Sequence, residues 1–455
     1  MRTCWLANID PSQNWAHRTW PEFAGSSEAA ATVVILPVHG FSATEDSEPC
    51  DLEELHGSEW LRQALGQSRI SPAPVVLPPL RFVLATRSTG LFGIDPETAH
   101  ALVREIAQGV KKAGFQKLVF FNTNSASEPF VATAAIDLRA DLGLRTYVMN
   151  ARALGLAVSA QSENTEAIRL TTSLLTEIAE HHSAKQPPPA PGLLGPDQPF
   201  PSYRSHYLPA FSRAELAALP AKDQVVIILP TGAIEQHGPH LPVGVDAILG
   251  QALLHEALVQ VAGRVPVYIA PPITFGKSNE HANFPGTLWI SAGTLRRLVL
   301  AIARQLKELG FRRLAIFNTH GGNSAVLAYT IQELRDMHGL DATMLRHGFK
   351  PQVSTQEAAW GFHADEWETS LMLACAPSWV HMDRAVCEYP ARLDDSGKLR
   401  PERAPATFAW ITEDISQSGV MGDATTATLE KGQFWLRESA RRLADRIIAI
   451  AGPNA

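Results

Sequence analysis

VVIILPTGAIEQHGPHLPVGVD, residues 225–246, joins two kinds of sequence. Val225 to Leu229 is an unbroken apolar run rich in β-branched residues and closed by Pro230, the pattern of a strand buried on both faces of a mainly parallel sheet. The residues that follow are polar and chemically rich: Glu235, His237, His240 and Asp246 share one loop. In an open α/β sheet, ligands sit outside the carboxyl ends of the strands, so this loop falls where chemistry is done.

Working outward, the strand has an echo. Val33-Val34-Ile35-Leu36-Pro37 matches Val226-Ile227-Ile228-Leu229-Pro230 at an offset of 193 (230 − 37), and Pro78-Pro79 matches Pro271-Pro272 at the same offset. After a shift of three, Gly114-Phe115 and the run to Asn122-Thr123 match Gly310-Phe311 and the run to Asn318-Thr319 at 196 (310 − 114). A repeat of this length implies one domain present twice. In the second copy, Leu295, Leu298, Val299, Ile302, Leu306 and Leu309 keep helical spacing, with Thr294 as the expected cap and Gly310 as the stop. In the first, Leu102, Val103, Ile106 and Val110 do the same before Gly114. A strand follows each helix, so the expectation is a three-layer α/β/α sandwich with a mainly parallel sheet, duplicated.

At 455 residues the chain exceeds the roughly 250 to 300 at which one core stops growing, which also requires two domains. Between the copies, Gln186-Pro-Pro-Pro-Ala-Pro-Gly192 and Pro196, Pro199 and Pro201 form an extended linker. The expected division is 1–185, a linker at 186–203, and 204–455. Ser212-x-x-Glu215 has the form of a capping box near the start of the second domain. A net charge of −7 without a basic block excludes a nucleic-acid partner. The four cysteines form no CxxC pair, no stretch has the length of a membrane span, and the first residues lack a signal-peptide pattern, so a cytoplasmic protein is expected.

Two further clusters resemble the first. Asn318-Thr319-His320-Gly321-Gly322-Asn323 follows the strand Leu314–Phe317, and Trp360-Gly-Phe-His363-Ala-Asp365-Glu366-Trp367-Glu368 sets one imidazole among three carboxylates. Imidazole with carboxylate and without thiolate suits zinc, manganese or ferrous iron, and an excess of carboxylate lets one side chain bridge two ions. Such a pair of ions activates water for hydrolysis.

These motifs, with Glu280-His281-Ala-Asn-Phe284-Pro285-Gly286-Thr287 and Ser418-Gly419-Val420-Met-Gly422-Asp423, resemble the creatininase (creatinine amidohydrolase) family over residues 204–450. The resemblance implies a dinuclear site: Glu235 and His320 on one ion, His237 and Glu368 on the other, Asp246 between them. It implies His363 as proton donor or substrate-positioning group, and Glu366 in the same cluster is a second catalytic candidate. His240, His281 and Trp360 are candidates for the substrate pocket, the two histidines also for orienting a ligand. Creatininase itself has a glutamate where this chain has Gly322, whereas the wider family, like this chain, takes the last ligand from the glutamate at 368. The Trp360-to-His363 spacing also differs by one from creatininase, which tells against creatinine as substrate.

At the repeat offsets, Glu235, His237, Asp246 and His320 correspond to Ser42, Thr44, Glu53 and Asn124. The first copy is therefore expected to have lost its metals, with His39, Glu45 and Asp51 as distant substitutes. The expected function is metal-dependent hydrolysis of a non-peptide C–N bond in a cyclic amide, formamide or similar small molecule, through a hydroxide bridging two divalent ions, zinc before manganese or iron. A lactonase acting at C–O, or a non-catalytic small-molecule binding protein, are the alternatives. If the family's hexamer is a trimer of dimers, a fused pair implies a trimer of chains.

Overall fold

The structure, a computed structural model, describes residues 5–42, 48–84, 90–156, 165–180, 204–261, 263–390 and 410–452. The proline-rich linker, His181 and His182, and Thr44 and Glu45 lie outside the described residues.

Each half builds a four-stranded parallel sheet, and the two sheets have the same order. In the first half the strands are β1 (Val33–Val38), β2 (Val75–Val76), β3 (Lys117–Asn122) and β4 (Arg145–Asn150), arranged β2-β1-β3-β4. In the second they are β5 (Val226–Thr231), β6 (Val267–Ile269), β7 (Arg313–Asn318) and β8 (Asp341–Leu345), arranged β6-β5-β7-β8. Both central strands, β1 and β5, are buried along their whole length, as continuous apolar runs require. Pro230 lies inside β5 rather than ending it. It gives up one ladder donor, while its carbonyl still accepts from Ile273 N at 2.9 Å.

The helices make the outer layers. In the first half α1 (Leu52–Gln67) packs with α4 (Thr165–Glu180), and α2 (Pro96–Lys112) packs with α3 (Glu128–Leu142). In the second half α5 (Val245–Val261) packs with the last helix, α10 (Leu429–Ala451), and α6 (Ala292–Glu308) with α7 (Ser324–Asp336). The cap of α6 differs from the sequence expectation: Ser291 is the N-cap, its Oγ accepting from Thr294 N at 3.2 Å, so Thr294 sits one turn inside. Gly310 follows the helix at φ +101°, which a side chain would strain. The Ser212–Glu215 capping box forms as expected.

Sequence alternation explains how the halves meet. Val34, Leu36 and Val38 face a hydrophobic core continuous with that of the second half, whereas Val33 and Ile35 face a separate core under α1 and α4. Across the junction α2 lies against α6, with Arg297 Nε donating to Thr98 Oγ1 at 3.2 Å and Ser291 N to Glu105 Oε2 at 3.0 Å. A small cavity at this junction is lined by equivalent residues of both copies, Pro79 with Pro272 and Leu102 with Leu298. The halves thus pack as a two-fold pair within one chain.

One difference breaks the symmetry. Residues 151–164 connect β4 to α4, whereas residues 346–428 connect β8 to α10. That second connection carries α8 (Thr355–Trp360) and α9 (Glu366–Cys375), and with them the third polar cluster of the sequence. Among the described residues no helix is long and apolar enough to cross a membrane.

Candidate metal centre and active site

Three elements of the second half deliver five side chains to one point. The loop after β5 carries Glu235 and His237 and ends at Asp246 in the first turn of α5. The turn after β7 carries His320, and the start of α9 carries Glu368. His237 Nε2 lies 4.0 Å from Glu235 Oε1, 3.8 Å from Asp246 Oδ1 and 3.6 Å from Glu368 Oε2. His320 Nδ1 lies 3.1 Å from Glu235 Oε1 and 3.5 Å from Asp246 Oδ2. Three sets of side chains in this cluster can each direct a ligand atom at a common point: Glu235, His237 and Asp246; His237, His363 and Glu368; and Glu235, His281 and His363.

The backbone fixes which ring nitrogens face inward. His237 Nδ1 donates to Glu235 O at 3.0 Å, leaving Nε2 for the centre. His320 Nε2 donates to Lys277 O at 3.0 Å, which turns Nδ1 inward. Gly322 is required here: a Cβ would approach Lys277 O to 2.5 Å and collide with the His320 ring. Glu368 is the third residue of α9, whose cap Asp365 accepts from Glu368 N at 3.1 Å. Its Oε2 accepts from Ala364 N at 2.5 Å.

The charges conflict unless a cation intervenes. Burial, then the neighbouring carboxylates, pushes the Asp246 and Glu368 carboxyls well above their usual range. Burial also opposes ionisation of Glu235, but His320, His281 and His363 hold its carboxyl well below that range. His320 rises to about 10: burial resists its charge, and Glu235, Asp246 and Glu280 overcome that resistance. The protein groups alone therefore keep protons in the centre. Glu235 Oε2, His237 Nε2 and Asp246 Oδ2 are also buried without a hydrogen-bond partner, at a typical cost of about 1–3 kcal/mol for each such atom. A divalent cation among these atoms would satisfy all three and replace the His320 proton, so the donor set fits a metal.

His363 sits at the edge of the centre. Its Nε2 donates to Gln236 O at 2.8 Å, leaving Nδ1 3.7 Å from Glu235 Oε1. Pairing of residues 362 and 363 with Met421 holds it there. His281 also reaches the centre, with Nε2 3.7 Å from Glu235 Oε1. Burial lowers both rings, His281 to about 3, against the pull of the Glu235 carboxylate.

Three candidates lie elsewhere. Glu366 points away from the centre and pairs with Lys431, because at the first position of α9 its side chain leaves the helix on a different face from Glu368. Trp360 belongs to a small apolar group with Phe362, Trp410, Ile415 and Met421, which backs His363. His240 Nε2 bonds Thr369 Oγ1 at 2.8 Å, which ties the first loop to α9 rather than reaching the centre.

Sequence reasoning missed Gln236. Its amide nitrogen donates to Gly419 O at 3.0 Å and lies 3.0 Å from His281 Nδ1, and its Oε1 accepts from Gly238 N at 2.9 Å. The side-chain amide thus positions His281, and the backbone carbonyl of the same residue holds His363. Its place between Glu235 and His237 was the available signal.

In the first half the same stations close on themselves. Asn124, in place of His320, donates from Nδ2 to Glu53 Oε2 at 3.0 Å, and Gly40 N donates to the same oxygen at 3.0 Å. His39 Nδ1 meets Thr123 Oγ1 at 2.9 Å. Among the described residues no group of three potential ligands converges in this half.

Fold and site together define a two-domain α/β enzyme with one candidate metal centre in its second half. The creatininase family profile, described as creatinine amidohydrolase, matches residues 16–185 and 210–447. The chain belongs to the creatininase family, and it is a hydrolase of that family. It is 33% identical over 225 residues to the mycofactocin precursor peptide peptidase of Mycolicibacterium smegmatis, covering 49% of this chain and 84% of that protein. It is 32% identical over 255 residues to the creatinine amidohydrolase of Pseudomonas putida, covering 51% and 92%. Among solved structures, a manganese creatininase matches with 29% identity and a TM-score of 0.44, covering 55% of this chain and 99% of that one.

Proposed function

We propose that the second half hydrolyses a C–N bond other than an ordinary peptide bond in a small molecule, using two divalent ions, zinc before manganese or iron. The convergence of Glu235, His237, Asp246, His320 and Glu368 on one buried point carries this reading. Glu235 and His320 would hold one ion, His237 and Glu368 the other, with Asp246 between them. When bound, the ions would lower the pKa of water and polarise the substrate carbonyl.

The remaining work belongs to the chain. His363 Nδ1 is an acceptor at the rim, so it takes the proton of the attacking water and returns it to the departing nitrogen. The bond from Nε2 to Gln236 O holds that tautomer throughout. His281 Nε2–H, fixed by the Gln236 amide on its other nitrogen, donates toward the substrate oxygen. Burial of the loop residues excludes bulk water, which strengthens each of these interactions.

His320→Ala and Asp246→Ala are expected to abolish turnover and lower bound metal while the chain stays folded by circular dichroism. Full activity in either variant would remove the proposal. A panel of cyclic amides, formamides, lactones and short peptides separates C–N from C–O cleavage. Since one relative carries a peptidase name, the peptides also test the limit to small molecules. We further propose that the fused pair replaces a dimer in assembly: a solution mass near three times 49.4 kDa is expected, and a stable monomer would contradict it.

A further inference from the structure

The segment ahead of each sheet repeats as faithfully as the sheets. In the first half, short helical turns occupy Pro11–Gln13 and Trp15–His17, followed by a helix at Trp20–Ala24. In the second, Arg204–His206, Leu208–Ala210 and Arg213–Ala218 begin at the same offset of 193 (204 − 11), and both helices start with a capping box, Thr19 with Glu22 and Ser212 with Glu215. Each leader first joins its own sheet, through Asn14 beside Val76 and Tyr207 beside Ile269. Each then crosses to the opposite half. Arg18 O accepts from Val243 N at 2.7 Å, and its counterpart Phe211 O accepts from Cys50 N, the counterpart of Val243, at 3.2 Å.

The two crossings do not serve equal ends. Residues 49–50 lead to Glu53, already tied to Asn124, whereas Val243 and Gly244 lie between Glu235 and Asp246. Val243 passes the constraint on in one direction, because its carbonyl accepts from Glu235 N at 2.9 Å. Gly244 passes it in the other: its N–H donates to Ala16 O at 2.7 Å while its carbonyl accepts from Ile248 N at 3.0 Å, opening the helix that presents Asp246. A Cβ on Gly244 would come within 2.5 Å of Ala16 O, so the two backbones touch. The same leader reaches three more loops of the catalytic half. Trp15 Nε1 donates to Gly286 O at 2.8 Å, Trp20 Nε1 to Ser418 O at 3.1 Å, and the His17 ring stacks on Trp379 with centroids 3.8 Å apart.

We infer that the metal-poor first half is kept as an intramolecular brace, its leader Asn14–Ala24 pinning the Glu235–Asp246 loop by the backbone so that the centre's ligands converge. The leader touches no reacting atom; it is a positioning segment. The inference rests on the metal reading only for its second readout.

The internal symmetry supplies the control. The pair Thr19→Ala/Glu22→Ala unseats the first leader, and Ser212→Ala/Glu215→Ala applies the same chemical change to the second. Two measurements follow: hydrogen exchange at the Val243 and Gly244 amides, and release of bound Zn²⁺ to a chelator. The first variant is expected to speed exchange at both amides by about tenfold, as for a locally released segment, while the second instead loosens Cys50. Zinc release is expected to quicken about 10- to 100-fold in the first variant alone, the range for groups that orient metal ligands. Equal responses from both variants, or unchanged Val243 and Gly244 exchange in the first, overturn the brace. Should the first pair fail to fold, Trp20→Phe removes only the indole donor to Ser418 and is read the same way. Faster exchange in a chain that holds no zinc would sink the metal reading and leave the brace standing.

Discussion

The two halves of this chain carry the same sheet, strand for strand, and differ in how their strand ends are satisfied. At the end of β1, Glu53 is tied by Asn124 and Gly40 N, both of them neutral donors within the protein. At the end of β5, three buried ligand atoms have no hydrogen-bond partner and the carboxylates of Asp246 and Glu368 are forced toward their protonated forms. The Glu53 carboxylate is satisfied without a cation, whereas the second centre is complete only with one. Loss of a metal site thus needs more than deletion of ligands. The remaining carboxylate must find a neutral donor, and replacing His320 by an asparagine at the equivalent position provides it.

The sharpest attempt to break this contrast exchanges like for like. Asp246→Ala is expected to cost more than the roughly 10- to 100-fold typical of residues that merely orient a metal ligand. Glu53→Ala, at the equivalent station, is expected to leave turnover and metal content unchanged. Steady-state rates and metal analysis of both variants decide it, and loss of activity in Glu53→Ala would show that the first half is not chemically silent. Gln236→Ala comes next. It removes the side-chain support of His281 while leaving the backbone carbonyl that holds His363, so turnover should fall by about 10- to 100-fold with bound metal retained. Loss of metal along with turnover would instead make Gln236 part of the ligand scaffold.

The sequence reveals the repeat because both central strands are continuous apolar runs, and it reveals the centre because ligands cluster at strand ends. Glu366 and His240 show where that reasoning stops. Composition places both beside true neighbours of the centre, but direction along a helix or loop decides contact: Glu366 and Glu368 leave α9 on different faces, and His240 turns to Thr369. Gln236 was hidden for the converse reason, since its chemistry lies in bonds to two segments remote in sequence, at His281 and Gly419. The crossing of the leaders could not be read either. It consists of backbone hydrogen bonds, which no residue type announces.

The leaders also differ in titration. Burial lowers His17 to about 3, whereas the equivalent second-half position is Ala210. An unfolded histidine binds its proton near pH 6.5, so the folded chain loses stability as pH falls below that value and keeps all of it above. Each pH unit between 6.5 and the folded value is worth about 1.4 kcal/mol. His17→Phe preserves a ring against Trp379 without the proton. Its stability relative to the natural chain should therefore rise by about 2 kcal/mol between pH 6.5 and 5, read by denaturant unfolding. A pH-independent difference would mean that His17 is hydrated in the folded state.

The smallest effect is expected in the long connection between β8 and α10 of the second half. Ala364 holds φ +50° between His363 and the cap of α9, a left-handed conformation that costs a residue with a Cβ about 1–2 kcal/mol. The strain is useful there: it turns the chain sharply enough that Ala364 N meets Glu368 Oε2 while His363 still pairs with Met421. Glycine removes the strain but gives the unfolded chain more freedom, worth about 0.4–1 kcal/mol in the other direction. Ala364→Gly should therefore stabilise the chain by no more than about 1.6 kcal/mol, the largest difference of these two terms, with turnover unchanged because the surrounding bonds dictate the turn. If activity falls instead, the turn is set by Ala364 itself, and the geometry joining His363 to Glu368 depends on local backbone preference more than on the packing of the two-fold pair.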